Sequence, residues 1–170
     1  METNSEPPKL HELSCKWNLY YHLQTDASWT LDSYKIIMKG MDSVECVNSI
    51  NEKIPEYLLY NCMFFCMKDG ITPTWEDVNN RDGGCFSYRI SNNDVSTAWR
   101  KLLCAMSGGS LCVNPKYESH INGITISPKK RFSVIKVWLN TCKLPNPDVI
   151  RDIQCLNKEG CLFKKHSPEF

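Results

Sequence analysis

Lys68-Asp69-Gly70-Ile71-Thr72-Pro73-Thr74-Trp75-Glu76-Asp77 follows directly on a long, nearly continuous apolar run, residues 58–67. The run predicts a strand buried on both sides, and Gly70 and Pro73 mark the stretch after it as a loop. A tryptophan beside a carboxylate on such a loop has little packing reason to be there. Toward the N-terminus, residues 15–23 alternate so that Trp17, Leu19, Tyr21 and Leu23 share one face of a strand. Asp26, Ala27 and Ser28 then make a turn that carries Trp29. Two loop tryptophans, Trp29 and Trp75, at one rim of a sheet would form a slot for a flat ring; on spacing alone, each reads equally well as a cover for core.

Strands are also expected over 34–38, 85–90, 121–126 and 131–139, giving at least six. Asp42, with Glu45 three residues on, has the form of a capping box, and Val44, Val47, Ile50 and Ile54 follow at helical spacing. The clearest helix starts near Asp94, with Val95, Ala98, Trp99, Leu102, Leu103 and Met106 in one stripe before Gly108-Gly109. Asn146-Pro147-Asp148 predicts a third helix over 149–156. Strands interleaved with amphipathic helices point to an α+β fold, a single curved antiparallel sheet with helices on one face. The other face is left to build a site.

The chain has 170 residues, enough for one domain with a real core, and its 42% hydrophobic and 23% charged residues are ordinary globular values. Residues 1–10 read as a flexible tail and 11–170 as the domain. A formal net charge of only +1 argues against a grip along a nucleic-acid backbone, so any RNA recognition must be local. No secretory signal and no membrane-spanning run is visible, which points to the cytoplasm. Ten cysteines invite a disulfide or zinc reading. A reducing compartment argues against the first, and the absence of any close two-residue pair argues against the second. Cys62 and Cys66 fall on one strand face, so buried thiols acting as small hydrophobes fit better, and no metal or cofactor is expected.

A tryptophan slot beside a carboxylate suits one ligand well. Methylation at N7 makes guanine cationic, and indole faces attract cations by about 2 kcal/mol when desolvated. Stacking adds roughly 1–3 kcal/mol per base. A carboxylate accepts from guanine N1–H and N2–H₂ together, a pair of donors that adenine lacks.

The chain resembles the eukaryotic translation initiation factor 4E family. His11, Leu13, Trp17, Leu19 and Tyr20 are similar to that family's opening strand, and Ser28-Trp29 resembles its first cap-stacking tryptophan. The run from Lys68 to Asp77 resembles its most characteristic stretch, with the second stacking tryptophan and the guanine-reading glutamate. Gly83-Gly84, Trp99 and Leu102-Leu103-Cys104 continue in family order, and Trp138 resembles the tryptophan at the N7 methyl group. The match runs from His11 to Trp138. It implies about eight strands, three helices on a convex back, and the messenger-RNA cap held in the concave face by Trp29, Trp75, Glu76 and Trp138. It also implies no catalysis, a monomer apart from its partners, capped mRNA as one partner and an initiation scaffold protein on the convex face as another.

The departures from the family concern cations and partners. The principal phosphate-binding arginine aligns with Lys129, the second cation with Val134, and a water-bridging arginine with Cys85. Val134, Lys136 and Trp138 alternate onto one face, so Lys136, helped by Lys130 or Arg131, is expected to take over phosphate contact. On the convex back Val44 matches a docking valine, but Asn48 stands for a tryptophan and Arg100, beside Trp99, for a leucine. Lys101 replaces a glutamate, so the usual docking peptide should bind poorly. Initiation through a scaffold and sequestration of capped messages both suit such a pocket. A cysteine hydrolase using His11, His22, His120 or His166 is the remote alternative, because no nucleophile motif surrounds any cysteine. Residues 143–147 and Lys164-Lys165-His166 read either as a loop near the first transcribed nucleotides or as solvated surface.

Overall fold

A computed structural model describes residues 9–166; most of the expected N-terminal tail lies outside them. Seven strands form one antiparallel sheet: β1 (Glu12–Leu23), β2 (Lys35–Ser43), β3 (Cys62–Lys68), β4 (Gly84–Ser91), β5 (Ile121–Pro128), β6 (Phe132–Leu139) and β7 (Leu162–Lys165). Their order across the sheet is β2-β1-β3-β5-β6-β4-β7. Three helices, α1 (Val44–Lys53), α2 (Glu56–Asn61) and α3 (Val95–Ser107), complete the architecture.

Alternation assigns the two faces. Leu19, Phe64, Cys66, Phe86, Tyr88, Ile124, Ile126, Ile135 and Val137 join Val47 of α1, Leu59 of α2 and the α3 stripe in one core. Residues Val95, Ala98, Trp99, Leu102, Leu103 and Met106 of α3 are all buried, as their spacing predicts. The opposite face gathers a smaller cluster of Phe65, Met67, Ile71, Cys85 and Trp138. The sheet is therefore covered on one side and open on the other. All ten cysteines are free thiols.

Three local expectations are corrected. The cap of α1 is Ser43, whose side chain accepts from Cys46 N–H, while Glu45 turns back to accept from the backbone N–H of His11 at 3.0 Å. The apolar run 58–67 is divided: Leu58 to Asn61 belong to α2, capped at Pro55, and the strand begins at Cys62. A continuous apolar run carries no period, and Leu-Leu-Tyr suits a helix as well as a strand. The helix expected over 149–156 is only a 3₁₀ turn, Pro147–Val149. Its backbone bonds go to another segment instead, with Val113 N–H donating to Val149 O and Arg151 N–H to Leu111 O, both at 2.8 Å. Finally, the seventh strand is the four-residue β7, too short for alternation to reveal. No described helix is long and apolar enough to cross a membrane.

Candidate functional site

The open face of the sheet holds a cavity of about 570 Å³. Its floor follows from strand register. One row across the sheet runs Phe65, Thr125, Lys136, Ser87, Leu162, and the next runs Met67, Gly123, Trp138, Cys85, Lys164. Trp138 is buried in that floor, and its Nε1–H donates to Thr125 Oγ1 at 3.3 Å. Gly83 leads into the row because a Cβ there would lie 1.8 Å from Leu139 O. Gly83 is thus needed for β4 to seat beside β6, and Gly84, whose Cβ would lie 2.5 Å from the Phe163 ring and 2.7 Å from Lys164 O, for β7 to pair on the other side.

Two loops make the walls. Trp29 comes from the β1–β2 connection and Trp75 from the β3–β4 connection; both line the cavity and stay 56% and 41% exposed, respectively. Large apolar rings left this open are not held there by core packing. Behind Trp29, His22 stacks in parallel, and Tyr34 leans on Phe65 edge-on at 5.1 Å. Burial raises the Tyr34 phenol above its ordinary value, and the Glu76 carboxylate, which lines the same cavity, adds to the rise.

The loop carrying Trp75 and Glu76 has no regular structure, yet it is tightly bonded. Asp77 Oδ2 accepts from Thr72 N–H and hydroxyl at 2.8 and 2.7 Å, and its Oδ1 accepts from Asn79. Burial pushes the Asp77 carboxyl up, but these bonds outweigh it and hold the group below its usual range. Asn80 is fully buried. It donates to Thr72 O and Thr74 O at 3.1 and 2.8 Å, and accepts from Asn122 Nδ2 at 2.9 Å. It ties the loop to β5. Nothing in the sequence marked Asn80, because the bonds of a buried amide depend on elements far along the chain.

The cations at the site differ from those expected. Lys129 and Lys136 line the cavity, whereas Lys130 and Arg131 sit on the β5–β6 turn beyond its lining. Lys164 lines the cavity with Lys136 instead, paired with Cys85 in the row that carries Trp138, while Lys136 pairs with Ser87 in the next row. Burial raises the Cys85 thiol, and Lys136, Ser87 and Lys164 draw it partly back. Arg89 also lines the cavity, its guanidinium 4.0 Å over the Phe132 ring. His166 packs on Trp138 at 4.7 Å and donates from Nδ1 to Asn80 O. Burial lowers its pKa against the pull of that carbonyl, helped by nearby Lys136, and so favours the neutral ring.

On the helix side, Val44 and Asn48 are exposed. Arg100 is half-buried, tied through Nε to Ser96 Oγ and through Nη2 to Ile54 O. Trp99 is a correction: it has no exposed surface and can only support that face from beneath. Thiols with a resolved shift, such as Cys66 and Cys112 (pushed up to about 12), are raised first of all by burial, opposite to what a nucleophile needs. No group of three or more metal-ligating side chains occurs among the described residues.

The sequence model of a family described as eukaryotic initiation factor 4E matches residues 12–167. Eukaryotic translation initiation factor 4E of Candida glabrata is 27% identical over 162 residues, covering 91% of this chain and 71% of the relative. The Homo sapiens protein of that name is 24% identical over 155 residues, covering 88% and 69%. A solved complex of C. elegans eIF4E-3 with the 4E-binding protein Mextli and cap analog superposes with a TM-score of 0.71 at 26% identity, covering 83% of this chain and 79% of that one. Ascaris suum eIF4E-3 with m7G cap superposes at 0.69 and 25% identity, covering 79% and 77%.

Proposed function

Because the chain belongs to the eukaryotic initiation factor 4E family, we propose that its open-face cavity binds the 7-methylguanosine cap of messenger RNA. Trp29 and Trp75 sandwich the methylated base, Glu76 reads its guanine edge and Trp138 meets the N7 methyl group. The observation that carries this reading is the meeting, in one cavity, of two exposed tryptophans from separate loops, a carboxylate beside one of them and the lysines Lys129, Lys136 and Lys164. Titration of tryptophan fluorescence with 7-methyl-GTP and with GTP tests it. The methylated ligand binds tighter by about 10–100-fold, since only it offers a cation to the indoles. Equal affinities, or quenching by neither, would overturn the reading.

The triphosphate lies toward Lys129, Lys136 and Lys164, with Lys130 and Arg131 adding charge from the turn. Lysine supplies charge without the bidentate fork of arginine, so affinity is spread over several contacts. Replacing Lys136 and Lys164 together with alanine weakens 7-methyl-GTP by roughly tenfold or more and leaves 7-methylguanosine unchanged, as charged hydrogen bonds of about 1.5–3 kcal/mol are lost. Unaltered preference for the triphosphate in that double variant would remove both lysines from the site.

The helix side bears on what cap binding is for. Initiation in the cytoplasm through a scaffold requires a partner for Val44, Asn48 and Arg100. That polar surface favours a partner with acidic or amide residues over one with apolar anchors. Sequestration of capped messages without a scaffold is the second reading, and the same surface favours it.

A further inference from the structure

Arg89 is the one arginine among the described residues that line the cavity, and it is exposed there. It stands opposite Val134 of β6, and Phe132 lies two residues back from Val134 on the same face. That diagonal places the guanidinium carbon 4.0 Å over the Phe132 ring. Arg100 and Arg151 donate to the backbone oxygens of Ile54 and Cys112. Among the described residues, the Arg89 guanidinium has neither a carboxylate nor a carbonyl partner. Its N–H donors are thus held in place by a ring and have no acceptor from the protein. Val134 and Trp138 are four residues apart on β6, so the row of Arg89 lies about 13 Å from the row of Trp138, with that of Lys136 between them. Lys129 stands at the same far end: its backbone N–H donates to Phe132 O at 2.8 Å, and its side chain lines the cavity.

We infer that Arg89 grips the phosphate farthest from the methylated base, so that the site measures the length of the phosphate chain. The inference rests on the cap reading above. With the base at the Trp138 end, the first phosphate comes to Lys136. Only a longer chain reaches Arg89 and Lys129, one row farther on. A phosphate offers two non-bridging oxygens, which a guanidinium meets with two parallel N–H bonds and an ammonium does not. Arg89 therefore supplies the fork that the lysines of the site lack. Phe132 is its positioning residue: stacking fixes the plane of the fork before the ligand arrives, so less side-chain freedom is lost on binding. An arginine plane also stacks nucleobases. Here, however, Phe132 already covers one face of it, and Lys129 brings a second cation to the same end, which favours a phosphate.

The experiment is a set of dissociation constants for 7-methyl-GMP, 7-methyl-GTP and the capped dinucleotide 7-methyl-GpppG in the wild type, Arg89→Met, Arg89→Lys and Phe132→Leu. The Met variant binds 7-methyl-GTP about tenfold more weakly, loses as much with the dinucleotide, and stays within about twofold of wild type with 7-methyl-GMP. Lysine restores the charge but not the fork, so the Lys variant remains about threefold weak with both triphosphates. The Leu variant also weakens about threefold with the triphosphates alone, whereas a merely structural loss lowers all three ligands equally. Binding of 7-methyl-GMP reports in each variant that the fold is intact. Wild-type affinity of the Met variant for 7-methyl-GTP, or an equal loss with the monophosphate, would overturn the inference. A Lys variant indistinguishable from wild type would reduce Arg89 to a point charge and overturn the fork. A loss confined to the dinucleotide would move Arg89 to the nucleoside beyond the phosphates and overturn the phosphate assignment. No binding of any of the three ligands by the wild type would sink the cap reading and this inference with it.

Discussion

Replacing Trp75 with alanine lowers the affinity for 7-methyl-GTP by about 100-fold or more and leaves thermal stability nearly unchanged. The two halves of this expectation have separate causes. Trp75 is 41% exposed, and its loop is held by Asp77 and Asn80 rather than by its own indole. Removing the ring therefore strips little from the core. The ligand, however, loses a stacking partner of roughly 1–3 kcal/mol and a cation–π contact of about 2 kcal/mol. Together these amount to two or more factors of ten. GTP, which has no cation to lose, weakens less, so the preference for the methylated base narrows. Calorimetric titration of the variant with both ligands measures this directly. A loss smaller than about threefold with 7-methyl-GTP would show that Trp75 is not a wall of the slot.

Asn80→Ala reaches the same site from below. The side chain touches no ligand in this reading, yet its loss leaves Thr72 O, Thr74 O and Asn122 Nδ2 each short of a bond in a closed space. Each buried group so stranded costs about 1–3 kcal/mol, less whatever water recovers. A net destabilisation of about 3 kcal/mol is expected, seen as a lower urea midpoint at unchanged slope. Cap affinity falls as well, by about tenfold, because Trp75 and Glu76 are then carried on a loop that must be ordered on binding. Stability lost without affinity would mean that the loop is held by Asp77 alone. Affinity lost without stability would mean that Asn80 belongs to the binding surface itself.

The contrast between those two positions also marks what is legible in the chain. Trp75 and Glu76 stand out at once, since an aromatic ring and a carboxylate after Gly and Pro have no local reason to be there. The stripe of α3 is equally plain, because a 3.6-residue period repeated from Val95 to Met106 leaves one solution. Asn80 is silent, and His22 and His166 stand out only as histidines, with no sign of what they touch. Each is an ordinary polar residue whose role comes from its bonding partners or ring contacts, some dozens of residues away. Short elements fail for a related reason: β7 has four residues, too few to display a period, and residues 149–151 exchange an intrahelical ladder for bonds to 111–113.

The cations show this most directly. Alternation alone put Val134, Lys136 and Trp138 on one face of β6, and the structure agrees. It had no means of choosing among Lys130, Arg131 and Lys164 as the neighbour of Lys136. That choice is made by the pairing of β4 with β7, which brings Lys164 beside Cys85. The sequence by itself determined the chemistry of the loops and the facing of each long strand, because both are written in residue type and local period. Only the tertiary structure decided which side chains from different strands meet, because register between distant strands is set by the packing of the whole sheet.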